Sequence, residues 1–373
     1  MFFVSTDTNL FSPIQLGPIT LPNRIVMAPM TRLRAGDGGV PIPANATYYS
    51  QRASAGLIIT ECTMISRQSQ GYMNCPGIYS PDQVEGWRLV TDTVHKQGGR
   101  IFLQLWHCGR ISHPSLQEEG KLPVAPSAIP AEGQLHTPNG KESMVAPHAL
   151  EIHEIQGVIE DFRKAAENAL AAGFDGVELH GAFGYLIDQF LQDGSNHRTD
   201  EYGGSVENRA RFLLEVVEAV ASVWGGNRVG IKLSPSNTYY SMVDSNPKAT
   251  FGYTIDALNR FGLAYIHLME PEAKDLATRD VLCPVAPTFR PIYQGTLIAN
   301  GGFTKESGNA ILAEGNADLV SFGKPFLANP DLPKRFELDV PLNSPNPKTF
   351  YGQGSHQPEV GYTDYPFLGD RAA

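Results

Sequence analysis

Eight short β-rich runs, alternating with helical patterns and Gly/Pro loops, constrain the fold of this chain more than any other feature. They read Ile25-Val26-Met27-Ala28, Leu57-Ile58-Ile59-Thr60, Ile101-Phe102-Leu103-Gln104-Leu105, Val177-Glu178-Leu179, Val229-Gly230-Ile231-Lys232-Leu233, Tyr265-Ile266-His267-Leu268, Leu297-Ile298-Ala299 and Leu319-Val320-Ser321-Phe322. Between several of them lie apolar residues at helical spacing, clearest at Ile155 to Ala172 and at Val206 to Val223. Strand alternating with helix favours a parallel sheet, and eight such strands close a barrel. A doubly wound open sheet is the main competitor, but no G-x-G-x-x-G follows any strand, so a Rossmann dinucleotide site is unsupported. The expectation is therefore an α/β chain in which residues 1–373 form a single (β/α)8 TIM barrel. An N-terminal hairpin is expected at Ile14 to Leu21. The Pro- and Gly-rich stretch His113 to Pro147, after the third strand, is too long for an ordinary βα loop. It reads as a cap over the active face in preference to a disordered excursion.

Composition excludes several classes of partner. A net charge of −10 and a pI near 5.5 leave no concentrated Lys/Arg surface for nucleic acid or an anionic membrane. The opening Met-Phe-Phe-Val-Ser-Thr-Asp has no basic n-region or sustained apolar h-region, and no run approaches a membrane span, so a cytoplasmic location is expected. Four scattered cysteines (Cys62, Cys75, Cys108, Cys283), none in Cys-x-x-Cys spacing, read as free thiols. Asn45-Ala46-Thr47 matches the glycosylation pattern but lacks a secretory context. No ligand-like set of His and acidic residues recurs at the strand ends, so no metal is expected.

Polar and special residues gather just past the strands, where a barrel places its chemistry. The first run leads into Ala28-Pro29-Met30-Thr31-Arg32, the second into Glu61-Cys62, and the third carries Gln104 before Trp106 and His107. His180 and Tyr185 follow the fourth, in Val177-Glu178-Leu179-His180-Gly181-Ala182-Phe183-Gly184-Tyr185; Lys232 lies in the fifth, Asn300-Gly301-Gly302 ends the seventh, and Gly323-Lys324 ends the eighth. A lone His-Tyr pair is more often packing, and a lone Gly-Gly is more often a turn. Glycines after the last two strands together with a lysine suit a phosphate, whose oxygens need close backbone approach and positive charge.

These segments, with Leu10-Phe11-Ser12-Pro13, Tyr48 to Ala53, Asn196 to Arg209, Ala328-Asn329-Pro330-Asp331-Leu332 and Tyr362-Thr363-Asp364-Tyr365-Pro366, make the chain resemble the Old Yellow Enzyme family over nearly its whole length. The resemblance implies one domain that holds FMN over the barrel mouth and uses NADPH or NADH as a transient hydride donor. It implies an ene-reductase: hydride passes from flavin N5 to the β-carbon of an electron-poor alkene, a small unsaturated carbonyl or nitro compound, and Tyr185 protonates the α-carbon. By similarity, Pro29, Met30, Thr31, Cys62 and Gln104 would contact the flavin, and Lys232 would face its N1 and O2. Asn300, Gly301, Gly302, Gly323 and Lys324 would hold the phosphate end. His180 would bind the substrate oxygen, with Phe183, Trp106, Tyr72 and Tyr351 lining the substrate cavity. The protein would act as a monomer or homodimer.

Four positions depart from the family's usual pattern. Phe183 stands where Asn or His normally supplies a second hydrogen-bond donor to the substrate oxygen, and a phenyl ring donates none. Loss of one such donor costs roughly a hundredfold in rate. Lys232 and Lys324 stand where arginine is usual, keeping the charge without the bidentate fork. Cys62 replaces Gly or Ala and reads as an inert buried thiol. Phe183 also admits two other readings, a flavin-dependent isomerase or desaturase of a particular metabolite, and a catalytically impaired FMN-binding barrel.

Overall fold

The computed structural model describes residues 8–352 and 357–370. The reading of the N-terminal seven residues lies outside them. Eight parallel strands close into a barrel: β1 (Ile25–Met27), β2 (Leu57–Met64), β3 (Ile101–Trp106), β4 (Gly176–Gly181), β5 (Val229–Leu233), β6 (Tyr265–Met269), β7 (Leu297–Asn300) and β8 (Leu319–Phe322). Each pairs with its successor in sequence, and Val320 of β8 pairs with Ile25 of β1 to complete the ring. The two best helical patterns form Ile152–Ala171 and Val206–Trp224. In the first, Ile155, Val158, Phe162, Ala165 and Ala169 make one buried stripe. Ser205 caps the second, its side chain accepting from the Asn208 N–H.

Alternation along the strands sorts their side chains between two environments. Ile25, Met27, Leu103, Leu105, Val177, Leu179, Ile231, Ile266 and Leu268 join the apolar layer shared with the helices. Val26, Ile59, Phe102, Tyr265, Ile298 and Leu319 fill the barrel interior, where Leu16 and Leu21 join them. Those two leucines come from the expected hairpin, Ile14–Leu16 paired antiparallel with Ile19–Leu21, whose leucines thereby plug the N-terminal end. Farther along, the inward positions turn polar: Gln104, Glu178, His180, Lys232, His267, Asn300 and Ser321, all buried. The barrel is thus apolar at one end and polar at the other.

The stretch from 113 to 147 is ordered. It holds two helical turns (Pro114–Leu116, Glu118–Gly120), the hairpin Gln134–Thr137/Gly140–Ser143, and Val124–Ala125, which pairs with His148–Ala149. Its Ala131, Leu135 and Met144 pack with Trp106, Cys108 and Ile111, and Tyr72, Tyr185 and Tyr240 pack against that cluster. This apolar face is buried over the polar end of the barrel, in the place expected of a cap.

Candidate active site

Two communicating cavities open at the polar end. The larger, ≈ 740 Å³, is lined by Ala28, Pro29, Met30 and Thr31 after β1, by Lys232, and by Asn300, Gly301, Gly302, Gly323 and Lys324 after β7 and β8, and is closed on one side by Phe350 and Tyr351. The smaller, ≈ 230 Å³, is lined by Cys62, Gln104, His180, Tyr185, Tyr239 and Tyr240. Pro29, Thr31, Phe183, Lys232 and Tyr351 belong to both walls. All but two of the residues assigned to flavin or substrate by resemblance therefore meet in one place. Trp106 and Tyr72 stand behind this wall: Trp106 is fully buried, its ring edge-on to Tyr185 at 5.0 Å and stacked on Tyr72 at 5.8 Å.

The backbone of β4 and the turn after it places His180 and Tyr185. The Ala182 N–H donates to His180 Nδ1 at 3.3 Å, which leaves the ring proton on Nε2. Burial, reinforced by the Lys232 charge, lowers the imidazole pKa to about 3, so His180 is a neutral donor. Asp188 accepts from the Gly184 N–H at 2.8 Å and fixes the turn. Phe183 adopts a left-handed backbone, φ +55°, supported by Ser234 Oγ accepting from its N–H at 2.8 Å. Its ring lies 6.1 Å from His180 and 5.2 Å from the Lys232 ammonium. Burial pushes the Tyr185 phenol well above its usual pKa, which keeps it protonated and able to donate.

Below the cavities a polar chain crosses the barrel. Thr31 donates to Cys62 Sγ at 3.4 Å, the thiol to Gln104 Oε1 at 3.2 Å, and Gln104 Nε2 to Glu178 Oε1 at 2.6 Å. His267 Nδ1 meets Glu178 Oε2 at 2.8 Å, and its Nε2 meets Ser321 Oγ at 2.7 Å. Burial pushes the Cys62 thiol up to about 12, so it is an inert link. Lys232, 3 % exposed, donates to Asn300 Oδ1 at 3.2 Å. Burial lowers its pKa, and the Glu178 charge opposes that shift.

The larger cavity fits a flavin mononucleotide. An ammonium has three donors, and Lys232 spends one of them on Asn300, leaving capacity for an anionic ring edge. A Cβ on Gly302 (φ +70°) would meet nothing within 4 Å and one on Gly323 only Met30, so side chains there would project into open space. Exposed Lys324 stands beside them with its charge free for a phosphate.

Sequence reasoning missed Tyr239 and Tyr240 on the wall and Glu178, His267 and Ser321 beneath it. The tyrosines left only a doublet in a loop. The other three did leave a signal, being polar residues inside apolar strand runs, at inward positions of the alternation.

Residues 9–343 match the NADH:flavin oxidoreductase / NADH oxidase family. The 12-oxophytodienoate reductase 2 of Arabidopsis thaliana is 47% identical over 361 residues, 96% of this chain and 96% of the relative. Among solved structures, morphinone reductase superposes with a TM-score of 0.93 at 48% identity over all of both chains. An old yellow enzyme homologue from Zymomonas mobilis gives 0.91 at 44% identity, covering 96% of this chain and 99% of its own. A closed parallel barrel with a flavin-sized cavity at its polar end defines an FMN-dependent NAD(P)H oxidoreductase. The chain belongs to the NADH:flavin oxidoreductase / NADH oxidase family, in its Old Yellow Enzyme branch. Among the described residues no helix is long and apolar enough to cross a membrane, and no group of three or more His, Cys, Asp or Glu is placed to hold a metal.

Proposed function

We propose that residues 1–373 act as one FMN-binding domain that reduces the C=C bond of a small α,β-unsaturated carbonyl compound with NADPH or NADH. The observation that carries this reading is the pairing of a neutral His180, donating from Nε2, with a protonated Tyr185, their rings 4.9 Å apart on one wall of the cavity that opens toward the cofactor site. Bound FMN supplies the redox chemistry, accepting and delivering two electrons as hydride. Pro29, Met30, Thr31, Gln104 and Lys232 hold its ring system, and Asn300, Gly301, Gly302, Gly323 and Lys324 its phosphate end. The Lys232 ammonium balances negative charge on the reduced ring. His180 Nε2–H binds the substrate oxygen and stabilises the enolate charge that gathers there as the alkene is attacked. Tyr185 gives its phenolic proton to the α-carbon. The cap, with Tyr239, Tyr240 and Tyr351, shields this step from bulk water. The relatives named above, reductases of 12-oxophytodienoate and of morphinone, agree in reaction class.

Phe183 narrows the substrate range. His180 is left as the ring donor to the substrate oxygen, so the roughly hundredfold share of a second donor is missing for carbonyl and nitro acceptors alike. The aromatic wall of Phe183, Tyr239, Tyr240 and Tyr351 favours a flat conjugated substrate. The test is anaerobic: reduce the FMN-loaded protein with NADPH, then add cyclohexenone, a maleimide or a nitroalkene and follow flavin absorbance. Reoxidation by one of these alkenes supports the reading; reoxidation by oxygen alone overturns it.

A further inference from the structure

We propose that Tyr72 and Tyr240 form a proton relay that resupplies Tyr185 from the wall of the smaller cavity. The inference rests on the C=C reduction proposed above. Three phenol oxygens stand in series: Tyr185 and Tyr72 are 3.2 Å apart, and Tyr72 and Tyr240 are 2.5 Å apart. Tyr185 faces the small cavity, Tyr72 lies behind it, and half-buried Tyr240 returns the chain to the cavity wall. The relay therefore begins and ends at the cavity, with half-buried Tyr72 between.

A half-buried proton donor packed against an apolar cluster gains from such a partner. Burial raises the pKa of Tyr185 and of Tyr72 well above the ordinary phenol value, so an isolated Tyr185 would be a weak acid and a costly phenolate. A hydrogen bond from Tyr72 to the Tyr185 oxygen stabilises that phenolate as it forms. Burial raises Tyr240 as well, but its hydrogen bond with Tyr72 opposes the shift.

Tyr240 is also held in place at a conformational cost. Its backbone is left-handed at φ +56° and that of Ser241 at φ +57°, a region unfavourable outside glycine. Arg110, 1 % exposed, secures the turn by donating to the Tyr240 carbonyl at 3.0 Å and to the Ile129 carbonyl of the cap at 3.2 Å. The cap's Glu132 N–H adds a bond to Ser241 Oγ at 3.2 Å. Strain of this kind persists where the surroundings over-determine it, and here it sets one hydroxyl against Tyr72.

In each turnover the Tyr185 O–H bond breaks and its proton forms the C–H bond at the α-carbon, the electron pair staying on the phenolate oxygen. The Tyr72 proton passes to Tyr185, the Tyr240 proton to Tyr72, and one proton from a solvent acid restores Tyr240. No electrons move along the chain, and the reaction's single net solvent proton enters at Tyr240.

The experiment compares wild type with Tyr72→Phe and Tyr240→Phe, FMN-loaded and pre-reduced, mixing each with cyclohexenone in H2O/D2O mixtures. Wild type should show a curved dependence of rate on deuterium fraction, as several moving protons require. Tyr72→Phe should be slower by about tenfold or more and linear, as for one moving proton. Tyr240→Phe should fall between them. In protein carrying 13Cζ-tyrosine without FMN, Tyr240→Phe should shift the Tyr72 resonance and, more weakly, that of Tyr185, so a variant with poor FMN uptake still reports on the chain. Wild-type rates and curvature in both variants, or unmoved resonances, overturn the relay. Failure of wild type with every alkene overturns the C=C reading and the relay with it.

Discussion

At the scale of single residues, Phe183 carries the sharpest consequence. Its left-handed backbone suits asparagine better than a bulky side chain, so Phe183→Asn should fold at least as stably as wild type while adding a second donor beside His180. Its rate with enones and nitroalkenes should rise at least tenfold and approach the roughly hundredfold worth of one oxyanion donor. An unchanged rate in a stable variant would remove the donor-deficit account. Lys232→Gln deletes a buried charge aimed at the cofactor cavity. FMN affinity, read by fluorescence titration, should weaken by about tenfold or more, the worth of one charge-assisted hydrogen bond. His107 gives a pH signature. Burial lowers its pKa to about 3, and Gly109 N–H donates to its Nδ1 at 3.0 Å. Between the unfolded value near 6.5 and this folded value, the unfolded chain binds a proton that the native state refuses. Stability is therefore lost as pH falls, by about 1.4 kcal/mol per unit. Relative to His107→Asn, wild type should lose roughly 2 kcal/mol between pH 6.5 and pH 5 in urea unfolding. A difference independent of pH would show that His107 titrates normally.

At the scale of elements, the C-terminal segment is clamped onto the barrel by two arginines. Arg32 donates to the carbonyls of Phe350 (2.9 Å) and Gly361 (2.7 Å), and Arg34 to those of Thr349 (2.9 Å), Val360 (3.1 Å) and Pro358 (3.2 Å). Tyr362 stacks on Tyr48 at 4.1 Å, with both guanidinium groups over its ring. This clamp sets Phe350 and Tyr351 at the edge of the larger cavity. Arg34→Ala should cost about 3 kcal/mol by leaving several carbonyls without donors. Hydrogen exchange should accelerate at the Gly352 amide, which bonds Arg32 O at 2.9 Å, while amides of β4 keep their protection. Equal acceleration in both places would mean global destabilisation and no clamp.

At the scale of the whole molecule, FMN binds only the folded barrel, so it should stabilise by mass action. At a hundredfold excess over Kd the gain is about 2.7 kcal/mol, visible as a higher unfolding midpoint that tracks FMN concentration. The tertiary structure joins distant parts to make that site. Met30 and Gly323, from the first and eighth strand ends, line one cavity with Tyr351 from the C-terminal segment.

The sequence by itself determined the barrel, because strand alternation and helical periodicity are local properties of the chain, and it placed His180, Tyr185, Lys232 and the terminal glycines where strand ends must put them. The hairpin at Ile14–Leu21 was legible as well. Only the tertiary structure decided which side chains stand on the cavity wall and which stand behind it. Tyr240 reaches Tyr72 across 168 residues, and Glu178 reaches His267 across 89. Contacts at such separations leave no periodic trace, since they depend on barrel closure and on how the cap settles. The left-handed turns at Phe183 and Tyr240 lie beyond propensity for the same reason: packing and Arg110 impose them against the local preference of those residues.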